Sequence, residues 1–166
     1  SKCVDAFASF PGHTGQQADA EQAYIQATVD DTHVHTYVRI PREYWPKAWI
    51  AAGYRDPVCR LVKALYGHPD SGGIWERHCE KHLRKVGFTT VNENWPSMFF
   101  HEQLKLLLMV YVDDFKMAGP PESIKKGWSL IRQGLLLEEP TDFGLCLGCS
   151  HKISRGTDVD GKTPIN

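Results

Sequence analysis

The sequence predicts an α+β fold, an antiparallel sheet with helices packed on one face, and three observations carry that prediction. The apolar run Leu106-Leu107-Leu108-Met109-Val110 has the composition of a buried strand and ends, after Tyr111 and Val112, on the acidic pair Asp113-Asp114. Two segments, residues 74–86 and 122–137, repeat apolar side chains at helical spacing. Residues 34–40 alternate, with Val34, Thr36, Val38 and Ile40 set against His35, Tyr37 and Arg39, which is the periodicity of a strand.

The remaining elements follow in order. Residues 1–16 read as an irregular lead-in, and residues 17–27 mix apolar and polar side chains before the turn Thr28-Val29-Asp30-Asp31. Pro41 closes the first strand, and residues 41–57 form a loop-rich stretch anchored by Tyr44, Trp45 and Trp49. Val58-Cys59-Arg60-Leu61-Val62 reads as a short strand. After the breaker-rich His68-Pro69-Asp70-Ser71-Gly72-Gly73, the helix over 74–86 places Ile74, Trp75, Cys79, Leu83 and Val86 on one side, and Gly87 ends it. Met98-Phe99-Phe100 and residues 104–112 form a hairpin through His101-Glu102-Gln103. A strand from Phe115 to Ala118 leaves the acidic turn and stops at Gly119-Pro120-Pro121. The helix over 122–137 then presents Ile124, Trp128, Ile131 and Leu135, residues 143–153 form a last strand or hairpin, and residues 154–166 are a polar tail.

Composition bounds the partners. A chain of 166 residues supports one sizeable core. Its formal charge of −1 lacks the basic surplus usual in a free-standing nucleic-acid binder, although a fragment whose basic elements lie elsewhere would not show one. Five cysteines at irregular spacing argue against a disulfide framework and for a reducing compartment. The apolar stretch over 104–112 is too short to cross a bilayer, so no membrane partner is expected. No secretory leader precedes it, the start reads as the middle of a longer polypeptide, and an intracellular location is expected.

Chemistry concentrates at Asp113-Asp114. Adjacent carboxylates repel unless a cation sits between them, and a strand that delivers both to a turn suits Mg2+, which prefers carboxylate oxygens and water. Asp19, at the head of Asp19-Ala20-Glu21-Gln22-Ala23-Tyr24, is the candidate third acid. Asp30-Asp31 lacks a preceding apolar strand and reads as a solvated turn. Cys146-Leu147-Gly148-Cys149 with His151 has half of a zinc-site spacing, and His78, Cys79 and His82 could be imagined as the rest. No second Cys-x-x-Cys exists and Cys79 falls on an apolar helix face, so no zinc site is expected. The basic clusters Lys81, Arg84, Lys85 and Lys125-Lys126 read as solvated helix faces.

Taken together, these segments resemble the reverse transcriptase domain of copia-type LTR retrotransposons. Asp19-Ala20-Glu21-Gln22-Ala23-Tyr24-Ile25-Gln26 is similar to that family's Asp-Val-Lys-Thr-Ala-Phe-Leu-Asn motif. Cys59-Arg60-Leu61 and Lys63-Ala64-Leu65-Tyr66-Gly67, followed by Ser71 and Trp75, resemble its Lys-Ala-Leu-Tyr-Gly-Leu-Lys-Gln-Ser-Pro-Arg-Ala-Trp segment. Tyr111-Val112-Asp113-Asp114 matches its catalytic turn. Gly87-Phe88 with residues 94–100, and Asp142-Phe143-Gly144 with Leu147-Gly148, add weaker matches in consistent order.

The resemblance implies an RNA-directed DNA polymerase whose residues 17–153 are a palm, with 1–16 a remnant of the fingers. It further implies two Mg2+ ions, or Mn2+ in their place, bridged by Asp19 and Asp113, with Asp114 an outer ligand and the Ala20 carbonyl completing one shell. Tyr24 would lie under the sugar of the incoming nucleotide and exclude a 2′-hydroxyl, with Tyr111 and Ser71 also at the substrate. The implied partners are an RNA or DNA template with its primer, deoxynucleoside triphosphates, and the integrase and RNase H regions of a retroelement polyprotein. The implied setting is a cytoplasmic virus-like particle or the nucleus.

One stretch departs from the pattern. His68 to Gly73 stands where the family has Leu-Lys-Gln-Ser-Pro-Arg, so the glutamine and arginine are missing and Asp70 adds a negative charge. That departure suits a second reading, a decayed or domesticated relative that binds nucleic acid or protein without catalysis. A phospho-acceptor receiver domain, which also sets acids at strand ends, fits less well because only 52 residues follow Asp114.

Overall fold

A computed structural model describes residues 1–29 and 35–144 in full, and beyond them the backbone of Leu145–Cys146, Cys149–Ser150, Gly156–Thr157 and Pro164–Ile165. The expected turn at Asp30-Asp31, the strand start at Val34, His33, the Leu147-Gly148 segment, His151 and most of the tail lie outside the described residues, as do the side chains of Cys146 and Cys149.

The chain runs α1 (Lys2–Ala8), β1 (Thr14–Asp19), α2 (Ala23–Gln26), β2 (Tyr37–Arg39), a 3-10 turn at Arg42–Tyr44, α3 (Lys47–Ala51), β3 (Val58–Arg60) and α4 (Ser71–Lys85). It continues through β4 (Thr89–Thr90), β5 (Met98–His101), β6 (Leu106–Tyr111), β7 (Asp114–Gly119), α5 (Pro121–Ile131) and β8 (Thr141–Asp142). Six strands make one sheet in the order β4-β5-β6-β7-β1-β8, antiparallel at every step. β2 and β3 pair with each other outside it, as a two-stranded arm.

Strand alternation sorts the sheet into two faces. On one face Ala18, Phe99, Leu106, Leu108, Phe115 and Met117 pack against Ile74, Trp75, Cys79 and Leu83 of α4 and Ile124, Trp128 and Ile131 of α5. α4 lies where the apolar spacing put it, and α5 begins where expected. α4 stops at Gly87, whose φ of +98° is a left-handed conformation natural to glycine, and the His101 ring fills the space a Cβ would need.

Two elements differ from expectation. α5 ends at Ile131, short of Leu137, because the chain turns at Arg132–Gly134 over the His82 ring. Leu135 and Leu137 remain buried past the end of the helix: the Leu135 N–H donates to the Ile131 carbonyl at 3.1 Å within the turn, and Leu137 bridges Ala20. The Gln26 side-chain amide brackets the Leu136 peptide, donating to its carbonyl at 2.9 Å and accepting its N–H at 2.8 Å. The spacing of Leu135 therefore reported burial correctly and the length of the helix wrongly.

The second difference concerns the other sheet face. Residues expected as irregular lead-in form α1, which sets Val4, Phe7 and Ala8 against Met98, Leu107, Met109 and Ala118. Helices thus cover both faces, and the single-sided arrangement is corrected: α4 and α5 lie on one side and α1 on the other. Lys116, on the α1 side, is fully buried, ion-paired with Asp5 of α1, and holds its ammonium 4.3 Å from the centre of the Phe143 ring. Removing one partner of such a pair strands a charge in the core. Asp5→Ala is therefore expected to lower unfolding free energy by about 3 kcal/mol in urea titration, whereas the double variant Asp5→Ala/Lys116→Met, which removes both charges, should be close to neutral.

Candidate catalytic site

The sheet register alone brings the acids together. Asp19, the last residue of β1, sits opposite Asp114, the first of β7. The Ala20 N–H donates to the Asp113 carbonyl at 2.7 Å, so Ala20 and Asp113 form the hydrogen-bonded pair. Asp19 and Asp114 are then the adjacent non-hydrogen-bonded pair, the kind whose Cα atoms approach to roughly 4.5 Å and whose side chains lie closest. Tyr111, opposite Asp114 across the β6–β7 hairpin and 55% exposed, shares their face. Asp113 occupies the two-residue loop with Val112.

Electrostatics carries the mark of that convergence. Burial raises the Asp114 pKa above the ordinary carboxylate value, and the negative charges of Asp19 and then Asp113 raise it further. A carboxyl whose folded pKa exceeds its unfolded one adds stability at pH values below the unfolded pKa and loses it as pH climbs through the folded pKa. Asp114→Asn is accordingly expected to raise the melting temperature at neutral pH. The advantage should shrink to nothing below about pH 4, near the unfolded aspartate value.

The loop itself is strained. Val112 has φ of +55°, a left-handed conformation that a β-branched residue rarely adopts and that glycine usually supplies in tight hairpins. Trp75, 2% exposed on α4, donates its indole N–H to the Val112 carbonyl at 2.6 Å. Both loop carbonyls are therefore held by donors from other elements, one from α4 and one from the residue after Asp19. Sequence reading assigned Trp75 to the core alone. The signal for more was its N–H, because a buried indole needs an acceptor.

The other expected residues are placed as follows. Ala20 is buried at the end of β1. Tyr24 is half-buried on α2, its ring 4.5 Å from that of Tyr66 and tilted by 45°. Ser71, expected at the substrate, is 1% exposed, and its hydroxyl donates to the Leu65 carbonyl at 2.7 Å while accepting the Leu65 N–H at 2.9 Å. Its capacity is spent on pinning the Leu65–Tyr66 bend to the start of α4. Beside it, the departing segment closes on itself. His68 accepts the Asp70 N–H at Nδ1, 3.2 Å, which leaves Nε2 as donor to Thr36 Oγ1 at 3.1 Å. Burial pushes the Cys79 thiol up to about 12, so it is an inert core group.

Hard carboxylate oxygens on neighbouring backbone positions are the donor type that Mg2+ and Mn2+ take. Among the described residues no three His, Cys, Asp or Glu side chains converge as a finished cage. Mg2+ usually keeps several waters and needs only one or two carboxylates, so the donor set fits with the backbone as it stands.

Comparison with known proteins gives the family. The family described as reverse transcriptase (RNA-dependent DNA polymerase) matches residues 2–131, and the chain belongs to that family. Among its relatives, the retrovirus-related Pol polyprotein from transposon RE2 of Arabidopsis thaliana is 26% identical over 140 residues, which cover 82% of this chain and 9% of that protein. A transposon Ty5-1 protein of Saccharomyces cerevisiae is 26% identical over 108 residues, 64% of this chain and 32% of the relative. The chain spans a small part of either. Among the described residues no helix is long and apolar enough to cross a membrane.

Proposed function

We propose that the chain is the palm-bearing portion of a copia-type reverse transcriptase, and that Asp19, Asp113 and Asp114 form its catalytic centre. The observation that carries this reading is the register opposing Asp19 and Asp114 at the mouth of the loop that bears Asp113. Two divalent ions bound there, Mg2+ or Mn2+, would activate the primer 3′-hydroxyl and neutralise charge on the departing pyrophosphate. Asp19 and Asp113 would be the shared ligands and Asp114 the outer one. Because an extended residue points its N–H and C=O to the same side, the Ala20 carbonyl faces the loop as its N–H does, suitably for one further ligand.

The rest of the site positions substrate, which is most of what phosphoryl transfer asks of a protein. Tyr24, braced by Tyr66, would support the sugar of an incoming deoxynucleotide and leave no room for a 2′-hydroxyl. Tyr111 would line the same face beside Asp114. The partners would be an RNA or DNA template with its primer, deoxynucleoside triphosphates and the remaining regions of a retroelement polyprotein, integrase and RNase H among them. A cytoplasmic virus-like particle or the nucleus would be the setting.

Primer extension on a poly(rA)·oligo(dT) substrate tests the reading. Weak, Mn2+-supported incorporation is expected from the chain alone, lost in Asp113→Asn. A second reading is favoured by the self-closed His68–Asp70 loop, in a stretch that lacks the family's glutamine and arginine and adds the negative charge of Asp70. Under it the fold would bind nucleic acid or protein without catalysis, and neither incorporation nor any effect of divalent ions on stability would be seen.

A further inference from the structure

At the end of the sheet away from the acids, the β5–β6 turn meets the last turn of α4 and the outer side of α5, and two clefts open around His101. One, of about 510 Å³, is lined by Lys85, Gly87, His101, Gln103 and Gln133 among others. The other, of about 460 Å³, is lined by His101, Gln103, Lys125, Lys126 and Ser129 among others. We propose that this basin binds a terminal phosphoryl group, as a phosphate monoester or as inorganic phosphate, on Lys85, Lys125 and the Nε2–H of His101.

His101 is the observation that points to a ligand. The residue is 7% exposed and its ring stands edge-on to Phe88, 5.1 Å between centres. The Leu104 N–H donates to Nδ1 at 3.3 Å, which makes Nδ1 the acceptor and puts the ring proton on Nε2. Among the described residues nothing accepts that proton. Buried donors are normally satisfied, so this one calls for an acceptor from outside the fold. Gly87 keeps it within reach: a Cβ there would stand 2.7 Å from Nε2, and the bare backbone lines the first cleft instead.

The two basic helix faces of the sequence meet at this ring. Lys85 comes from α4, Lys125 and Lys126 from α5, and all three are exposed. None of them has a carboxylate partner among the described residues, whereas Glu102, the acid that lines the first cleft, is ion-paired with Lys105. Helix C-termini ordinarily favour cations through their free carbonyls. Here those carbonyls are taken. The Val86, Gly87 and Phe88 N–H groups donate to the His82, Arg84 and Leu83 carbonyls, and the His82 ring contacts the Leu130 and Ile131 carbonyls at 3.3 and 2.8 Å. The ammonium groups are therefore left for an anion.

Charge and shape choose among anions. Two ammonium groups flanking one neutral donor match a dianion. The donor lies on the floor of the basin, where a terminal group reaches it. A phosphodiester carries a single charge and a substituent on two of its oxygens, so it fits less well. The basin is also remote from the catalytic loop, since the length of β6, Leu106–Tyr111, sets about 17 Å between them. The inference is independent of the polymerase reading, because none of the three acids takes part.

Isothermal titration of the intact chain with phenyl phosphate, inorganic phosphate and dimethyl phosphate in metal-free buffer tests it. The two dianions should bind, and dimethyl phosphate should bind at least about tenfold more weakly, as expected for the loss of one charge-assisted contact. Lys85→Ala and Lys125→Ala should each weaken phenyl phosphate binding about fivefold, the upper range for an exposed ion pair. His101→Asn can still accept the Leu104 N–H but offers no donor at the Nε2 position, and should weaken binding about tenfold. Lys81→Ala, exposed on α4 outside both clefts, should change nothing. In proton–nitrogen correlation spectra of the parent chain the His101 Nε2–H signal should move on adding phosphate, which reads the contact even where a His101 variant fails to fold. Tighter binding of inorganic phosphate than of phenyl phosphate supports the proposal with the free ion as ligand, and the reverse order supports it with an esterified group. A parent chain that binds neither dianion overturns the proposal. So does dimethyl phosphate binding as tightly as phenyl phosphate, or unaltered affinity in both the Lys85 and the Lys125 variant.

Discussion

Asp19→Asn should abolish the stabilisation that Mn2+ confers on the parent chain. An ion that binds only the folded state at one hundred times its dissociation constant adds about 2.7 kcal/mol. For a chain of 166 residues that is a rise in melting temperature of about 5–10 °C. In metal-free buffer the same substitution should act in the opposite sense. It removes one of the charges that raise the Asp114 pKa, so the variant should melt higher than the parent. The crossing of these two effects is diagnostic, because a merely destabilising substitution lowers both curves together. Calorimetric scans with and without Mn2+ read it directly. A parent unaffected by Mn2+ would remove the polymerase reading, and a variant that keeps the full shift would remove Asp19 from the site.

The acids were legible because their chemistry is local. An apolar run that ends in two carboxylates states an electrostatic problem within nine residues, from Leu106 to Asp114. Asp19 could be named from its motif, but not its register with Asp114, since strand pairing over that separation is decided by the whole sheet. The α4 spacing was equally plain, as fifteen residues give a periodic pattern room to repeat. α1 was not, because seven residues carrying Val4, Phe7 and Ala8 barely complete two turns. The burial of Lys116 is not legible in the sequence, for a different reason. A lysine within the strand over 115–118 suggests an exposed face, and only the tertiary partners Asp5 and Phe143 allow its burial. At Ser71 a motif position does not reveal the local hydrogen bonding. Its hydroxyl proves to be a backbone clamp, which no spacing could distinguish from a ligand contact.

Trp75→Phe is expected to weaken Mn2+ binding at least tenfold, a far larger effect than its change in bulk suggests. The loop that carries Asp113 is held in an unfavourable conformation at Val112, worth about 1–3 kcal/mol of strain, and such strain persists only when surrounding contacts over-determine it. The indole N–H of Trp75 on the Val112 carbonyl is one of the two restraints on the loop carbonyls, and the Ala20 N–H on Asp113 is the other. Phenylalanine keeps the ring in the core but removes the donor, so the Val112–Asp113 peptide can rotate and the Asp113 carboxylate loses its fixed bearing on Asp19. Trp128→Phe is the matched control: that indole is also buried and donates at 3.1 Å, but to Gln16 on the far side of the loop's neighbours. Both variants should lose comparable thermal stability, about 1–2 kcal/mol for the hydrogen bond and lost volume, while only Trp75→Phe loses ion affinity in isothermal titration. Val112→Gly provides the converse. It relieves the strain and should stabilise the metal-free fold by about 1 kcal/mol, net of the backbone entropy glycine adds. It should nonetheless weaken ion binding, because the loop then has other conformations to visit. Equal Mn2+ affinity in Trp75→Phe and Trp128→Phe would show that register alone positions Asp113 and that the α4 clamp serves only the core.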